Sequence, residues 1–373
     1  MSNSRRHLTA LLMGYYGAGN LGDEMMLFTI RNWLRCQDIE ATVLTERPGR
    51  TTAESCITAV QNVPLLGEWA WFDSWFRGRA LSVAQAIRKH DFFIAGGGDL
   101  IRDDRGWRPF LFVIEKLILA HWLGKPIFLV NVGIGRPTTA YGRILLRYVL
   151  RRAHRIIVRD ERSQQVCNDL GAEAHATYAP DIVETLPRIL GNRTKPHKMI
   201  ASRKFILVSL RSHSNAFGQY DLTASRIQML AEALERTAIG RGLEIVFLPF
   251  QKNECEDDNV IHHKIASAIR GAPTRVLEWM NDFPQIVDLF SGAEFVLAMR
   301  LHAAVLGVAV GRPVVVMPYD HKVWEFVRQR NVSSVLTERD LDDICSTKRA
   351  LEQAVLGQTR PSALAQWDTL QLL

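Results

Sequence analysis

The sequence has no CxxC pair, and its five cysteines (Cys36, Cys56, Cys167, Cys255, Cys345) are odd in number and widely scattered. That argues against a disulfide framework and for a reducing compartment. No stretch reaches the roughly 18 uninterrupted apolar residues of a membrane span. The nearest, FLFVIEKLILAHWLG, carries Glu115 and Lys116 in its middle. The apolar run in the N-terminal MSNSRRHLTALLMGYYG is only about six residues long. It leads into a Gly-rich turn rather than a cleavage site, so it reads as a first buried strand. A short-period repeat, a low-complexity tract and an RNA-binding motif with interleaved aromatics are also missing. No nucleic-acid partner is expected.

What is present is the balance of a folded chain. The 373 residues are 47% hydrophobic and 23% charged, enough for two α/β domains with a core each. The net charge of +7 suits an anionic substrate, a membrane surface or nucleic acid about equally well.

Short apolar runs alternate with helical patterns, which predicts parallel sheets covered by helices on both faces. Strands are expected at 8–14, 41–45, 91–96, 126–131 and 155–160 in the first half. In the second half they are expected at 205–210, 244–250, 274–279, 295–299 and 313–319. The segment LPRILGNRTKPHKMIASR breaks the rhythm. The predicted division is a Rossmann-like domain over 1–190, a linker over 191–203 and a second Rossmann-like domain over 204–373. Doubly wound sheets bind ligands beyond the carboxyl ends of their strands, so the residues after each strand are the candidates.

GYYGAGNLGDE follows the first strand. Gly17, Gly19 and Asn20 are placed for close approach of backbone to a ligand, and Asp23 for capping the next helix. Gly17, Gly19 and Gly22 match GxGxxG, but Asn20 and Asp23 confound the packing context and Glu46 is a loose fit for the acid. Nicotinamide binding is therefore disfavoured. AGGGDLIRDD brings Gly97, Gly98 and Asp99, with Asp103 and Asp104 equally suited to capping a loop. NVGIGRP supplies another Gly-bearing strand exit, and VRDE ends a strand on Arg159. In the second half the exits carry Arg211 and His213, then Gln251, Lys252 and Asp257, then Arg300 and His302, then Asp320, His321 and Lys322. Four successive exits with cationic or amphoteric groups point to a compact anion such as phosphate or carboxylate. The competing reading of His302 is a core histidine at the start of a buried helix. Its neighbour Arg300 favours a ligand-facing role, with the imidazole able to give or take a proton near neutral pH.

Taken in order, GYYGAGNLGDE, AGGGDLI, NVGIGRP, VRDERS, Leu210-Arg211, PFQ, MRLHA and YDHK resemble the motifs of the polysaccharide pyruvyl transferases. They resemble especially the cell-surface-anchoring type, which acts on secondary cell-wall glycans. The resemblance runs over nearly the whole chain, although PDIV at 180–183 departs from the expected Asp-Pro order and leaves the role of Asp181 open. It implies two Rossmann-like domains with a cleft between them, in a GT-B-like arrangement. It also implies phosphoenolpyruvate as co-substrate, a glycan acceptor that can be polyprenyl-diphosphate-linked, a cyclic ketal product, and neither a metal nor a further cofactor. Arg300, His302 and Lys322 would belong to the donor site, with Arg211 and Arg159 as further donor-binding candidates. His302 is then expected to handle the proton, and Asp99 to position or deprotonate an acceptor hydroxyl. The alternatives are a nucleotide-sugar-dependent glycosyltransferase on the same fold and a non-catalytic sugar- or nucleic-acid-binding module, the second poorly explaining the clustered strand-exit residues.

YGRILLRYVLRRAHR places Arg143, Arg147 and Arg151 on one predicted helix face. That is either a solvated face or a docking surface for anionic headgroups. The expected location is cytoplasmic, with peripheral contact at the inner membrane face. The Trp69, Trp71 and Trp75 cluster in 62–80 matches no motif and reads as core packing or a lid.

Overall fold

The computed structural model describes residues 7–49, 51, 57–65, 78–104, 106–191, 204–211, 222–356, 367 and 370. The chain divides into two compact units. Unit 1 comprises Met1–Ala18, Asp23–Ile182 and Leu364–Leu373, and unit 2 comprises Gly19–Gly22 and Val183–Ala363. The division after Ile182 lies eight positions before the one read from the sequence. Residues 183–190 hold a 3-10 turn and the short helix Leu186–Leu190, which packs within unit 2. The predicted linker falls almost entirely outside the described residues, as do His213 and the tryptophan cluster.

Unit 1 contains a seven-stranded parallel sheet. Its strands are β1 (Leu8–Met13), β2 (Ile39–Thr45), β3 (Ala59–Gln61), β4 (Phe92–Gly96), β5 (Ile127–Val132), β6 (Arg155–Val158) and β7 (Ala176–Tyr178), in the order β3-β2-β1-β4-β5-β6-β7. The helices are α1 (Leu21–Arg35), α2 (Arg79–Lys89), α3 (Trp107–Trp122), α4 (Ala140–Leu150) and α5 (Glu161–Asp169). The central strands are buried from end to end because helices cover both faces, which is why they read as unbroken apolar runs. The edge strands β3 and β7 are only half-buried and carry polar residues, and the apolar pattern passed over them. The strand order reverses between β1 and β4, so the exits of these two strands form the switch point of the sheet.

Glu115 and Lys116, which interrupt the apolar run of α3, are both buried. Lys116 Nζ donates to Glu115 Oε1 at 2.5 Å and to the Phe112 carbonyl at 2.9 Å, and sits over the Phe112 ring. Glu115 Oε1 also accepts the Leu65 N–H at 2.7 Å. Burial lowers the Lys116 ammonium to about 8, with Glu115 acting against it.

Unit 2 repeats the plan with six parallel strands: β8 (Phe205–Ser209), β9 (Glu244–Phe247), β10 (Thr274–Val276), β11 (Phe295–Ala298), β12 (Val314–Val316) and β13 (Ser334–Val335). Their order is β10-β9-β8-β11-β12-β13, with the switch point between β8 and β11. The helices are α6 (Leu186–Leu190), α7 (Ala224–Arg241), α8 (Asn259–Ala268), α9 (Phe283–Gly292), α10 (Leu301–Ala309), α11 (His321–Arg330) and α12 (Ile344–Leu356). The helix α11 was not foreseen. Asp320 caps it by accepting the Val323 N–H at 3.1 Å, Val323, Phe326 and Val327 bury its inner face, and Asn331 ends it in a left-handed conformation. No helix among the described residues is long and apolar enough to cross a membrane.

Candidate active site

At the switch point of unit 2, Arg300 follows β11 as the N-cap of α10, with no hydrogen bond from its side chain to the cap. Its buried guanidinium lies between two acids. Nε donates to Asp258 Oδ2 at 3.1 Å, and Nη2 donates to Asp258 Oδ1 at 2.5 Å and to Glu256 Oε1 at 2.8 Å. Glu256 also takes Arg211, which leaves β8, through Nε at 2.7 Å. Two arginines and two carboxylates therefore close into one electrically balanced chain. Asp258 further accepts the Phe250 and Gln251 N–H groups at 3.0 and 2.9 Å. Burial pushes its carboxyl up, against the pull of Arg300. Burial alone would lower Arg300, but Asp258 and Glu256 hold the guanidinium above its ordinary value.

His262, on α8, holds the backbone next to Arg211. It is fully buried, Nε2 accepts the Leu210 N–H at 3.1 Å, and Nδ1 lies 3.2 Å from Asn259 Oδ1. Since Nε2 must accept, Nδ1 carries the proton and the ring is neutral. Burial, then the charge of Arg300 and then His263, lower its pKa from 6.5 to about 3. An unfolded imidazole takes up its proton near the ordinary value, whereas the folded one resists far below it. The stability it supports is complete above about 6.5 and is lost as the pH falls through that window towards 3, at about 1.4 kcal/mol per pH unit. Urea unfolding between pH 7 and pH 4 should show this slope, flattened in His262→Gln. An unchanged slope in the variant would assign the acid sensitivity to other groups.

Arg211 and Lys322 share the Tyr319 ring, at 5.1 and 5.9 Å from its centre. Both side chains are partly exposed, 25% and 30%, so they can reach a ligand where Arg300 cannot. Lys322 Nζ lies 3.4 Å from Asp320 Oδ2. His302 stands half-buried in the first turn of α10. A Cβ on Gly22 would fall deep inside contact distance of its Nδ1, so the imidazole lies directly on the Gly22 backbone. The Gly19–Gly22 segment is held by backbone pairing: Leu21 N–H to the Phe250 carbonyl at 2.8 Å, Lys252 N–H to the Gly19 carbonyl at 2.9 Å, and an antiparallel bridge from Asn20 to Gln251.

At the switch point of unit 1, Asp99 follows β4. Oδ1 accepts Arg159 Nη2 at 3.0 Å and Oδ2 accepts Arg102 Nη1 at 2.9 Å. Arg159 is buried and its Nη1 lies 3.5 Å from Asp181 Oδ2. Burial alone would lower Arg159, but Asp99 and Asp181 hold it above its ordinary value. Gly97 and Gly98 adopt φ of 78° and 71°, a left-handed pair that L side chains resist. Their backbone extends the pairing with β5, from Gly97 N–H to Val130 and from Gly133 N–H to Gly98. Gly17 N–H donates to Glu24 Oε1 at 2.7 Å. Asp103 is structural: it accepts the Thr138 and Thr139 N–H groups and the Thr139 hydroxyl, pinning the start of α4.

Unit 2 thus gathers Arg211, Arg300 and Lys322, places His302 on the helix that Arg300 caps, and includes Gly19 and Asn20. Asp99, Gly17, Gly97 and Gly98 lie in unit 1. Arg159, grouped with the donor cations in the sequence, is there too, ion-paired to Asp99. Sequence reasoning missed Glu256, Asp258, His262 and Tyr319. The run Glu256-Asp257-Asp258 was visible, but the middle acid was chosen. Asp257 accepts the Asn259 N–H, while its two neighbours hold the arginines.

Solved structures of UDP-GlcNAc 2-epimerases share this fold, an α/β fold with two parallel sheets as expected from the sequence. The enzyme from Neisseria meningitidis bound to UDP-GlcNAc superposes with a TM-score of 0.62 at 12% identity, over 94% of this chain and 91% of the other. That from Methanocaldococcus jannaschii gives 0.62 at 11%, over 95% and 94%. These identities speak to the fold alone. The amylovoran biosynthesis protein AmsJ of Erwinia amylovora is 20% identical over 267 residues, 68% of this chain. The match spans 62% of that relative's length. The sequence profile of the polysaccharide pyruvyl transferases matches residues 20–321, from the Asn20 bridge to the start of α11. With all but the first motif residues and Lys322 inside that span, the chain belongs to the polysaccharide pyruvyl transferase family.

Proposed function

We propose that the protein transfers the pyruvyl group of phosphoenolpyruvate to two hydroxyls of one sugar in an exopolysaccharide or cell-wall glycan. The product is a cyclic ketal, and phosphate is released. The observation that supports this reading best is the pair of partly exposed cations, Arg211 and Lys322, around Tyr319. A small substrate with one carboxylate and one phosphate needs such a pair. His302, at the positive end of α10, protonates the methylene carbon, which makes C2 oxocarbenium-like. One hydroxyl adds to C2, the C–O bond to phosphate breaks, and the second hydroxyl closes the ring. Of the two hydroxyl protons released, one is balanced by the new methyl group and the other leaves with phosphate. Asp99, held by Arg102 and Arg159, orients an acceptor hydroxyl. The scheme uses no co-substrate beyond phosphoenolpyruvate, and it takes place in the cytoplasm on a glycan that can be polyprenyl-linked.

Incubation with phosphoenolpyruvate and a lipid-linked glycan, followed by phosphate assay and mass spectrometry, tests the reaction. His302→Gln should lower turnover by about 10²–10³ while the melting temperature holds. Wild-type turnover in that variant would remove His302 from proton handling. Turnover with UDP-sugars and none with phosphoenolpyruvate would overturn the reaction itself.

A further inference from the structure

The exposed face of α4 carries two parallel strips. Gly142, Leu146, Val149 and Leu150 bury its inner side. Outside, Arg143, Arg147 and Arg151 recur every fourth residue, all exposed. Beside them, Tyr141, Ile144 and Tyr148 follow at helical spacing. Ile144 is 68% exposed and Tyr141 45%, although either would be better covered in a water-facing helix. The apolar strip continues onto α3, where Trp122 is 73% exposed and donates through Nε1 to the Tyr148 hydroxyl at 3.3 Å. Arg152 stacks on the other side of that junction, 3.7 Å from the Tyr148 ring centre. Four of the nine large exposed hydrophobics among the described residues lie on these two helices.

The sequence that carries the strip has charge of one sign. From Leu117 to Val158 it has no Asp or Glu and seven Lys or Arg. Among the described residues, Arg143, Arg147 and Arg151 have no carboxylate partner. Cations beside exposed aliphatic and aromatic side chains match an anionic lipid surface, in which headgroups meet the arginines and the apolar strip enters the acyl boundary. A second copy of the chain fits poorly, since a two-fold contact would set the arginine strip against itself. Phosphates alone, as in a nucleic acid, leave the exposure of Ile144 and Trp122 without a reason.

We infer that the α3–α4 face of unit 1 is a docking surface for anionic phospholipid, with Ile144 and Trp122 inserting and Arg143, Arg147 and Arg151 binding headgroups. It stands independently of the reaction proposed above. Asp103 pins the start of α4 to the loop that follows Asp99, so the surface is rigidly tied to that carboxylate.

Sedimentation of the full chain with vesicles tests it. Vesicles of phosphatidylglycerol and phosphatidylcholine should retain the protein, and phosphatidylcholine alone should not. The triple change Arg143→Glu, Arg147→Glu, Arg151→Glu should weaken partition by more than about 100-fold, at roughly fivefold or more per cation. Ile144→Asp should weaken it by about tenfold with the charge strip intact. All four side chains are exposed, so the melting temperature should not change. Equal binding to both vesicle types, or wild-type binding by Ile144→Asp, would overturn the inference. So would a dimer in sedimentation velocity that Ile144→Asp dissolves, because the strip would then be a self-contact.

Discussion

Asp258→Ala is expected to lower the stability of unit 2 by about 3–5 kcal/mol, the usual result of removing one partner from a buried ion pair. Three effects coincide at this carboxylate. Arg300 loses two of its three hydrogen bonds while remaining buried, and it cannot shed its charge. The Phe250 and Gln251 N–H groups lose their acceptor, and each buried orphan costs about 1–3 kcal/mol. The remaining carboxylate, Glu256, is already engaged by Arg211. Asp258→Asn retains an acceptor oxygen and should be milder, and Asp258→Asn combined with Arg300→Met should recover part of the loss because no charge is stranded. Urea unfolding of the four proteins gives the comparison. A loss below about 1 kcal/mol in Asp258→Ala would mean that Glu256 alone suffices to hold Arg300.

Gly22→Ala is expected to reduce turnover by about 10² without loss of fold. The position lies in the first turn of α1, where alanine is ordinarily the better residue by about 0.5–1 kcal/mol. The added methyl meets the His302 ring, with Nδ1 as the nearest atom, so the imidazole must leave its position. A shift of the group proposed to transfer the proton is enough for the predicted loss. Combining Gly22→Ala with His302→Ala separates this from a general disturbance. The double variant should be no slower than His302→Ala alone, because the ring that the methyl displaces is then gone. A further loss in the double variant would show that Gly22 acts through something other than His302.

Most of the two sheets was legible because their central strands are buried on both faces. FILVS, EIVF, FVLA and PVVV leave little choice of structure. The strands that escaped, β3, β7 and β13, are two or three residues long, and hydrophobic periodicity has nothing to act on at that length. The helix α11 was missed because Asp320, His321 and Lys322 were weighed as ligand groups, whereas Asp320 is also an N-cap. For the site, the rule that ligands lie beyond strand ends found Asp99, Arg159, Arg211 and Arg300. It could not show that their charges are answered locally. Glu256, Asp258 and Asp181 come from loops, and Asp258 and Asp181 reach the buried arginines from outside any strand pattern. A count of cations therefore overstated the positive potential: of the four donor-binding candidates, Arg159 and Arg300 are buried, and Arg211 and Lys322 keep partial exposure.

If Arg211 holds the donor as proposed, the double engagement of Glu256 makes that capture an exchange rather than an addition. An incoming carboxylate competes with one already in place, and when it leaves, Glu256 is there to resume the bond. The guanidinium is never bare in either state, so the net change in paired charge on binding is small. Affinity at such a site is set by the difference between two similar bonds, which favours rapid release and fine selectivity over tight retention.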